Sequence, residues 1–285
     1  MNYTFFLQAF RQKYQHIMDE KLLFQYLREE LQYLILFILY SRMRYPIYFM
    51  GGTKLRLSYG INRFSEDIDL ALDKPNPVFP AQDFFEELIR SFAQKVTGFQ
   101  THSTFSARGN VVKIMLSFSQ LLFDLKLSPL PAQTIKIKIE LDINPPAHAE
   151  PEKKTYRSLA GDYLIHTHNL STTFAGKMAT VLFRAYQKGR DYYDLQWYLQ
   201  QRPGLTINLD YFNANARQQG EKAFKNERAV FTAMTGKVKN LDLPLMKKDL
   251  ERFVTMSPAT FQAWLNNYIP ETLSLLKTYQ SSHES

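Results

Sequence analysis

A Gly-Gly-Thr triplet, Gly51-Gly52-Thr53, follows directly on the short apolar run Ile47-Tyr48-Phe49-Met50, and Asp67-Ile68-Asp69 comes after thirteen intervening residues. No other feature restricts the fold as much. The apolar run behind Pro46 predicts a strand, and the glycines let the chain turn at once into a helix that stops at Gly60. Such a turn offers backbone N–H groups and a hydroxyl at the positive end of a helix, where a phosphate can be held. Glu66 to Leu72 alternates and predicts a second strand, so Asp67 and Asp69 project from one face. Two adjacent carboxylates repel each other unless a cation lies between them. Mg²⁺ suits them, because it takes oxygen ligands from one or two carboxylates plus substrate phosphates.

A third carboxylate is offered by Ile135-Lys-Ile-Lys-Ile-Glu-Leu-Asp-Ile143, where Glu140 and Asp142 share a strand face with Lys136 and Lys138. Either acid could complete a site for two metals. The chain has no cysteine, which excludes a disulfide scaffold, a Cys-ligated zinc or iron–sulfur site and a thiol nucleophile. The six histidines are scattered and support no metal site. A hard cation on carboxylates is what this composition leaves.

Helical periodicity over 3 to about 44 (Phe6, Phe10, Tyr14, Ile17; Leu23, Leu27, Leu31, Leu34, Ile38) predicts N-terminal helices whose aromatic residues belong to a core. An amphipathic helix is expected over Phe84–Val96. Strands are expected over Val111–Phe118, Leu121–Leu127 and Ile135–Ile143, with Pro145-Pro146 closing the last. Beyond about 150 the pattern reads as helical, over 171–188, 190–200, 207–235, 245–255 and 258–279. Lys177, Val181, Arg184 and Lys188 would then form one helical stripe, and Asp191 and Asp194 one face of the next helix. The apolar run Tyr33–Tyr40 is too short to cross a bilayer, and the N-terminus does not read as a secretory signal, so a soluble cytoplasmic protein without a membrane partner is expected.

Taken together, Gly51-Gly52-Thr53-x-Leu55-Arg56, Arg63-x-Ser65-x-Asp67-Ile-Asp69, Lys138-Ile-Glu140, and Lys177 followed by Arg190-Asp191-x-x-Asp194 resemble the AbiEii/MenT nucleotidyltransferase toxins, within the DNA-polymerase-β-like superfamily. The resemblance spans about residues 50 to 195. It implies an α+β fold: a polymerase-β-like module with a small mixed sheet, flanked by N-terminal helices and a C-terminal helical region. The domains would be 1–150, N-terminal helices plus the nucleotidyltransferase module, and 151–285, a mainly helical domain completing the active-site cleft.

The activity implied is Mg²⁺-dependent transfer of a nucleoside monophosphate from a nucleoside triphosphate to an RNA 3′-hydroxyl, that of tRNA first. Its setting would be a toxin–antitoxin or phage-defence system with a cognate antitoxin. Carried over by residue, Asp67, Asp69 and Glu140 would hold metal, and Lys177 and Asp191 would complete the catalytic set. Gly51, Gly52, Thr53, Arg56, Ser65 and Lys177 would bind the nucleotide. Lys54 stands where a small residue is common. Thr53 could instead cap the helix behind it, Arg56 and Arg63 could serve structural ion pairs, and Asp194 could replace Asp191. A protein or small-molecule acceptor, or a non-catalytic nucleotide- or RNA-binding module, are the alternatives.

Charge adds one expectation. Lys and Arg exceed Asp and Glu by 35 − 27 = +8, and residues 151–240 alone carry 14 − 7 = +7. The excess gathers outside the acidic motifs, as expected where phosphate-rich RNA docks on the helical half.

Overall fold

The structure, a computed structural model, describes residues 1–42, 44–201 and 204–282. The chain divides into two compact units: 1–59, 64–145 and 151–167 form the first, and 60–63, 146–150 and 168–285 the second.

The first unit is built on a seven-stranded mixed sheet in the order β3-β4-β5-β2-β1-β7-β6. Its strands are β1 (Ile47–Met50), β2 (Ile68–Leu72), β3 (Gln100–Arg108), β4 (Val111–Ser119), β5 (Ile135–Asp142), β6 (Pro151–Ser158) and β7 (Gly161–His168). β1 runs antiparallel to β2 and parallel to β7, while β2 runs parallel to β5. On β5 Ile135, Ile137, Ile139 and Leu141 are buried and the four charged residues alternate with them onto the other face. Helices α1 (Tyr3–Tyr14), α2 (Glu20–Arg42), α3 (Gly51–Tyr59) and α4 (Ala81–Lys95) belong to this unit. Leu27, Leu31, Leu34 and Ile38 of α2 recur at helical spacing inside the core, each stabilising by roughly 1.5–3 kcal/mol. Phe6, Phe10 and Tyr14 join them, as the periodicity predicts.

Three expectations need correction here. Leu121–Leu127 is not a strand: Gln120 turns with φ +67°, and the short helix α5 (Leu121–Asp124) follows. Leu121 and Leu122, in the first turn of that helix, are both buried. Residues 151–168 are not helical but form β6 and β7, which enlarge the sheet. Residues 151–167 accordingly belong to the first unit, and the division of the chain does not fall at 150.

The second unit holds α6 (Leu170–Phe183), α7 (Gly189–Gln201), α8 (Leu209–Gln218), α9 (Glu227–Lys239), α10 (Leu243–Leu250) and α11 (Pro258–Ser282). The helix expected over 207–235 is two, α8 and α9, parted at Gly220 with φ +77°. Phe174, Tyr198, Phe231 and Tyr279 pack at its centre, the first two stacked at 4.7 Å. Among the described residues, no helix is long and apolar enough to cross a membrane.

Candidate active site

β1 ends at Met50 and α3 begins at Gly51, so the turn between strand and helix has no spare residue. Gly51 has φ +77°, and a Cβ there would lie 2.0 Å from Asp69 Oδ2. Only glycine fits, because backbone conformation and space both exclude a side chain. Gly52 is half-buried. Thr53 is fully buried, and its hydroxyl donates to the Asp67 carbonyl, tying the first turn of α3 to the approach of β2. Its hydroxyl is therefore directed at the chain rather than outward.

Asp69 stands opposite Met50 on one side and Glu140 on the other, in register across the β2/β5 ladder. Asp67 precedes the strand by one residue. Asp142 pairs with Ala71 instead, and its carboxylate accepts the Asn144 N–H at 2.8 Å. Burial pushes its pKa up, against that hydrogen bond. Of the two candidate acids on β5, Glu140 is the one placed beside Asp69. Lys138 bridges the set, its Nζ 3.1 Å from Asp67 Oδ2 and 3.4 Å from Glu140 Oε1. Burial would lower the Lys138 pKa, but the bond and charge of Asp67, with Glu140, outweigh it and hold it above the ordinary lysine value. Lys113 reaches Glu140 at 3.2 Å.

Among the described residues, no three acidic or histidine side chains converge on a metal position. Lys138 occupies the middle of the acidic set as its positive charge. The donors nevertheless fit a hard divalent cation: all are carboxylate oxygens, two are in register, and the side-chain-free Gly51 backbone lies against Asp69.

The neighbouring candidates have structural partners. Arg56 pairs with Glu29 at 2.7 Å and covers the Phe64 ring. Ser65 is half-buried, and its carbonyl accepts from Gln32 at 3.0 Å. Lys54 had only its unusual position to mark it. It is fully buried, and burial pushes its pKa down to about 7, with Glu152 opposing and Lys154 adding to the shift. Both neighbours come from β6.

In the second unit, Lys177 on α6 contacts Asp191 at 2.7 Å and Asp194 at 2.8 Å, both on one face of α7. Asp194 also receives a two-pronged bond from Arg63, both contacts at 2.6 Å, and Arg184 bonds Asp191. Burial opposes the charges of Lys177 and Asp191, yet the pairing wins. Asp191 and Asp194 hold Lys177 above its ordinary pKa, and Lys177 with Arg184 holds Asp191 below its own. The expected single stripe is corrected: α6 ends at Phe183, Arg184 is extended, and Lys188 lies in the loop. Arg184 reaches Asp191 because it has left the helix.

A family model described as nucleotidyl transferase AbiEii toxin, type IV toxin–antitoxin system, matches residues 35–267. Two solved structures are similar. One is a proposed nucleotidyltransferase from H. pylori, 16% identical, TM-score 0.56, covering 90% of this chain and 95% of its own. The other is JHP933 from Helicobacter pylori, 15% identical, TM-score 0.56, covering 91% and 93%. At this identity they show the fold alone, and it is the expected one. No curated protein matches the chain.

Proposed function

The chain belongs to the AbiEii nucleotidyl transferase toxin family, and from that premise we propose that it transfers a nucleoside monophosphate from a nucleoside triphosphate to the 3′-hydroxyl of an RNA, tRNA first. The observation that carries the reading is the register of Asp69 and Glu140 beside the Gly51 turn. The 3′-hydroxyl oxygen attacks the α-phosphorus and gives up its proton to solvent, a new P–O bond forms, the α–β bridging P–O bond breaks, and pyrophosphate leaves.

Asp67, Asp69 and Glu140 would hold Mg²⁺, which when bound polarises the α-phosphate and neutralises charge on the leaving pyrophosphate. The backbone of Gly51 and Gly52 at the start of α3 receives a phosphate, favoured by the helix dipole. Thr53 acts as a positioning residue, fixing the Asp67 main chain. Lys138, which bridges Asp67 and Glu140, would have to release their oxygens to such a cation. On the family resemblance Lys177 is assigned to the triphosphate, and Asp191 and Asp194 keep it charged and oriented. Arg56 and Ser65 support the nucleotide turn from their structural contacts. The family's type IV system supplies an antitoxin partner, and an RNA acceptor places the action in the cytoplasm.

The test incubates the protein with total tRNA, Mg²⁺ and each labelled triphosphate in turn. RNase-sensitive label that vanishes with Asp69→Asn is expected. Label that survives Asp69→Asn sinks the mechanism, and an RNase-resistant labelled protein band gives the acceptor a different identity.

A further inference from the structure

A hollow in the second unit opens beside the Arg184–Asp191 pair. Between the loop after α6, the start of α7 and one face of α9 lies a cavity of about 500 Å³, with Arg184, Tyr186, Lys188, Asp191, Gly236 and Lys237 on its walls. α9 opens it by what it lacks. Ala233, Gly236 and Asn240 recur at helical spacing along the wall, and a Cβ at Gly236 would meet no atom within 4 Å.

The walls carry three cations, Arg184, Lys188 and Lys237, against one carboxylate, Asp191, and they carry an aromatic ring. Tyr186 is 66% exposed, unusual for a large ring, with the Arg184 guanidinium 5.2 Å from its centroid. Lys188 is half-buried, and burial, then Arg190, Arg184 and Lys177 push its pKa down, with Asp191 opposing. A cluster of like charges that repel one another is relieved when an anion enters. Lys237 adds a further ammonium from α9.

A second cavity of about 350 Å³ adjoins the first, sharing Thr180, Arg184 and Ala185 and continuing towards Asn215 and Gln219 of α8. Two hollows in series, with cations and an exposed ring, suit a flexible chain of nucleotides better than a single anion. Stacking on an aromatic ring tolerates any base, while lysines track the backbone.

We propose that these paired hollows bind the single-stranded 3′ end of the acceptor RNA, with Tyr186 stacking on a base and Lys188 and Lys237 meeting its phosphates. This rests on the RNA-acceptor reading above and gives that acceptor its own site in the second unit. The residues 151–240 excess of 14 basic over 7 acidic side chains thereby gains a specific focus.

The experiment uses the full-length protein in two arms. In the first, a fluorescent single-stranded oligoribonucleotide is titrated without triphosphate against wild type, Lys237→Glu, Gly236→Trp, Tyr186→Ala and the control Lys239→Glu. Lys237→Glu and Gly236→Trp are expected to weaken binding tenfold or more, with a salt slope reduced by about one for Lys237→Glu. Tyr186→Ala is expected to weaken it about fivefold or more, and Lys239→Glu less than twofold. Thermal melting shows which variants are folded, and Lys237→Glu, at an exposed position, stands if Gly236→Trp does not fold.

In the second arm, RNA and triphosphate are titrated separately in the transfer reaction, where KM for RNA should rise and KM for triphosphate stay within twofold. Unchanged oligonucleotide binding in Lys237→Glu and Tyr186→Ala overturns the inference, as does a rise confined to the triphosphate KM. Wild type that binds the oligonucleotide through these residues yet labels no RNA overturns the acceptor reading and leaves the hollows an RNA site.

Discussion

Gly51 and Asp69 approach so closely that a methyl group on the glycine would lie 2.0 Å from the aspartate's Oδ2. The contact joins the start of α3 to β2 and leaves no tolerance at either residue. Gly51→Ala must shift the carboxylate and strain a backbone at φ +77°, at a cost of about 1–3 kcal/mol. We expect at least a hundredfold loss of kcat with a folded protein, read by nucleotide labelling alongside thermal melting. Retention of more than a tenth of the activity would show that Asp69 need not stay where it is.

Lys138 links Asp67 and Glu140 by its ammonium. A divalent cation and this lysine compete for the same oxygens. Lys138→Met should tighten Mn²⁺ binding several-fold in calorimetry, and should lower stability without metal by about 1 kcal/mol as the carboxylates repel. Looser metal binding would mean that Lys138 organises the acids instead of occupying their place.

Asp194 is fully buried between Arg63 and Lys177, whereas Asp191 shares its load with a neighbour. Removing the Asp194 carboxylate leaves two cations short of a counter-charge, so Asp194→Ala should cost about 3–5 kcal/mol in urea melts. Asp191→Ala should cost less, since Lys177 keeps Asp194. The pH dependence follows from the shifts. Asp191 is depressed, so its contribution is present above the unfolded carboxylate pKa and is lost as pH falls through the folded one. Lys177 is raised, so its contribution is present below the unfolded lysine pKa and is lost as pH rises through the folded one. Equal costs for the two aspartate variants would count against this division of labour.

The turn and the acidic strands were legible because they combine local signals: an apolar run ending in two glycines, a D-x-D with strand alternation, and β5 with strict alternation of apolar and charged residues. Register was not legible, since Asp69 meets Glu140 and Asp142 meets Ala71 only once β2 and β5 pair in parallel. β6 escaped because an edge strand presents polar residues on both faces, as in Pro-Glu-Lys-Lys-Thr. β7 did carry a signal in Tyr163, Ile165 and Thr167, all buried and two apart. The stripe from Lys177 to Lys188 failed for a different reason: spacing assigns a helix face but says nothing about where the helix stops, and this one stops at Phe183.

Lys54 offers a measurement independent of activity. Its pKa of about 7 in the folded chain lies below the ordinary lysine value of about 10.4. Between those values the unfolded chain binds more protons, so stability rises with pH, by at most about 1.4 kcal/mol per unit. Lys54→Met should flatten that rise in urea melts at pH 7 to 10. A slope unchanged by the substitution would place the titration elsewhere.

The alternation of the chain between its units has a consequence for synthesis. The path passes from one unit to the other five times, and Arg63 belongs to the helical unit although its partner Asp194 lies 131 residues downstream. At about 5–20 residues per second a ribosome needs roughly 7–26 s to bring that partner out. During this interval the guanidinium waits without its carboxylate, while the sheet-bearing unit can already close once residue 167 has emerged. The buried Arg63–Asp194 pair therefore forms only after every strand of the sheet-bearing unit has been made.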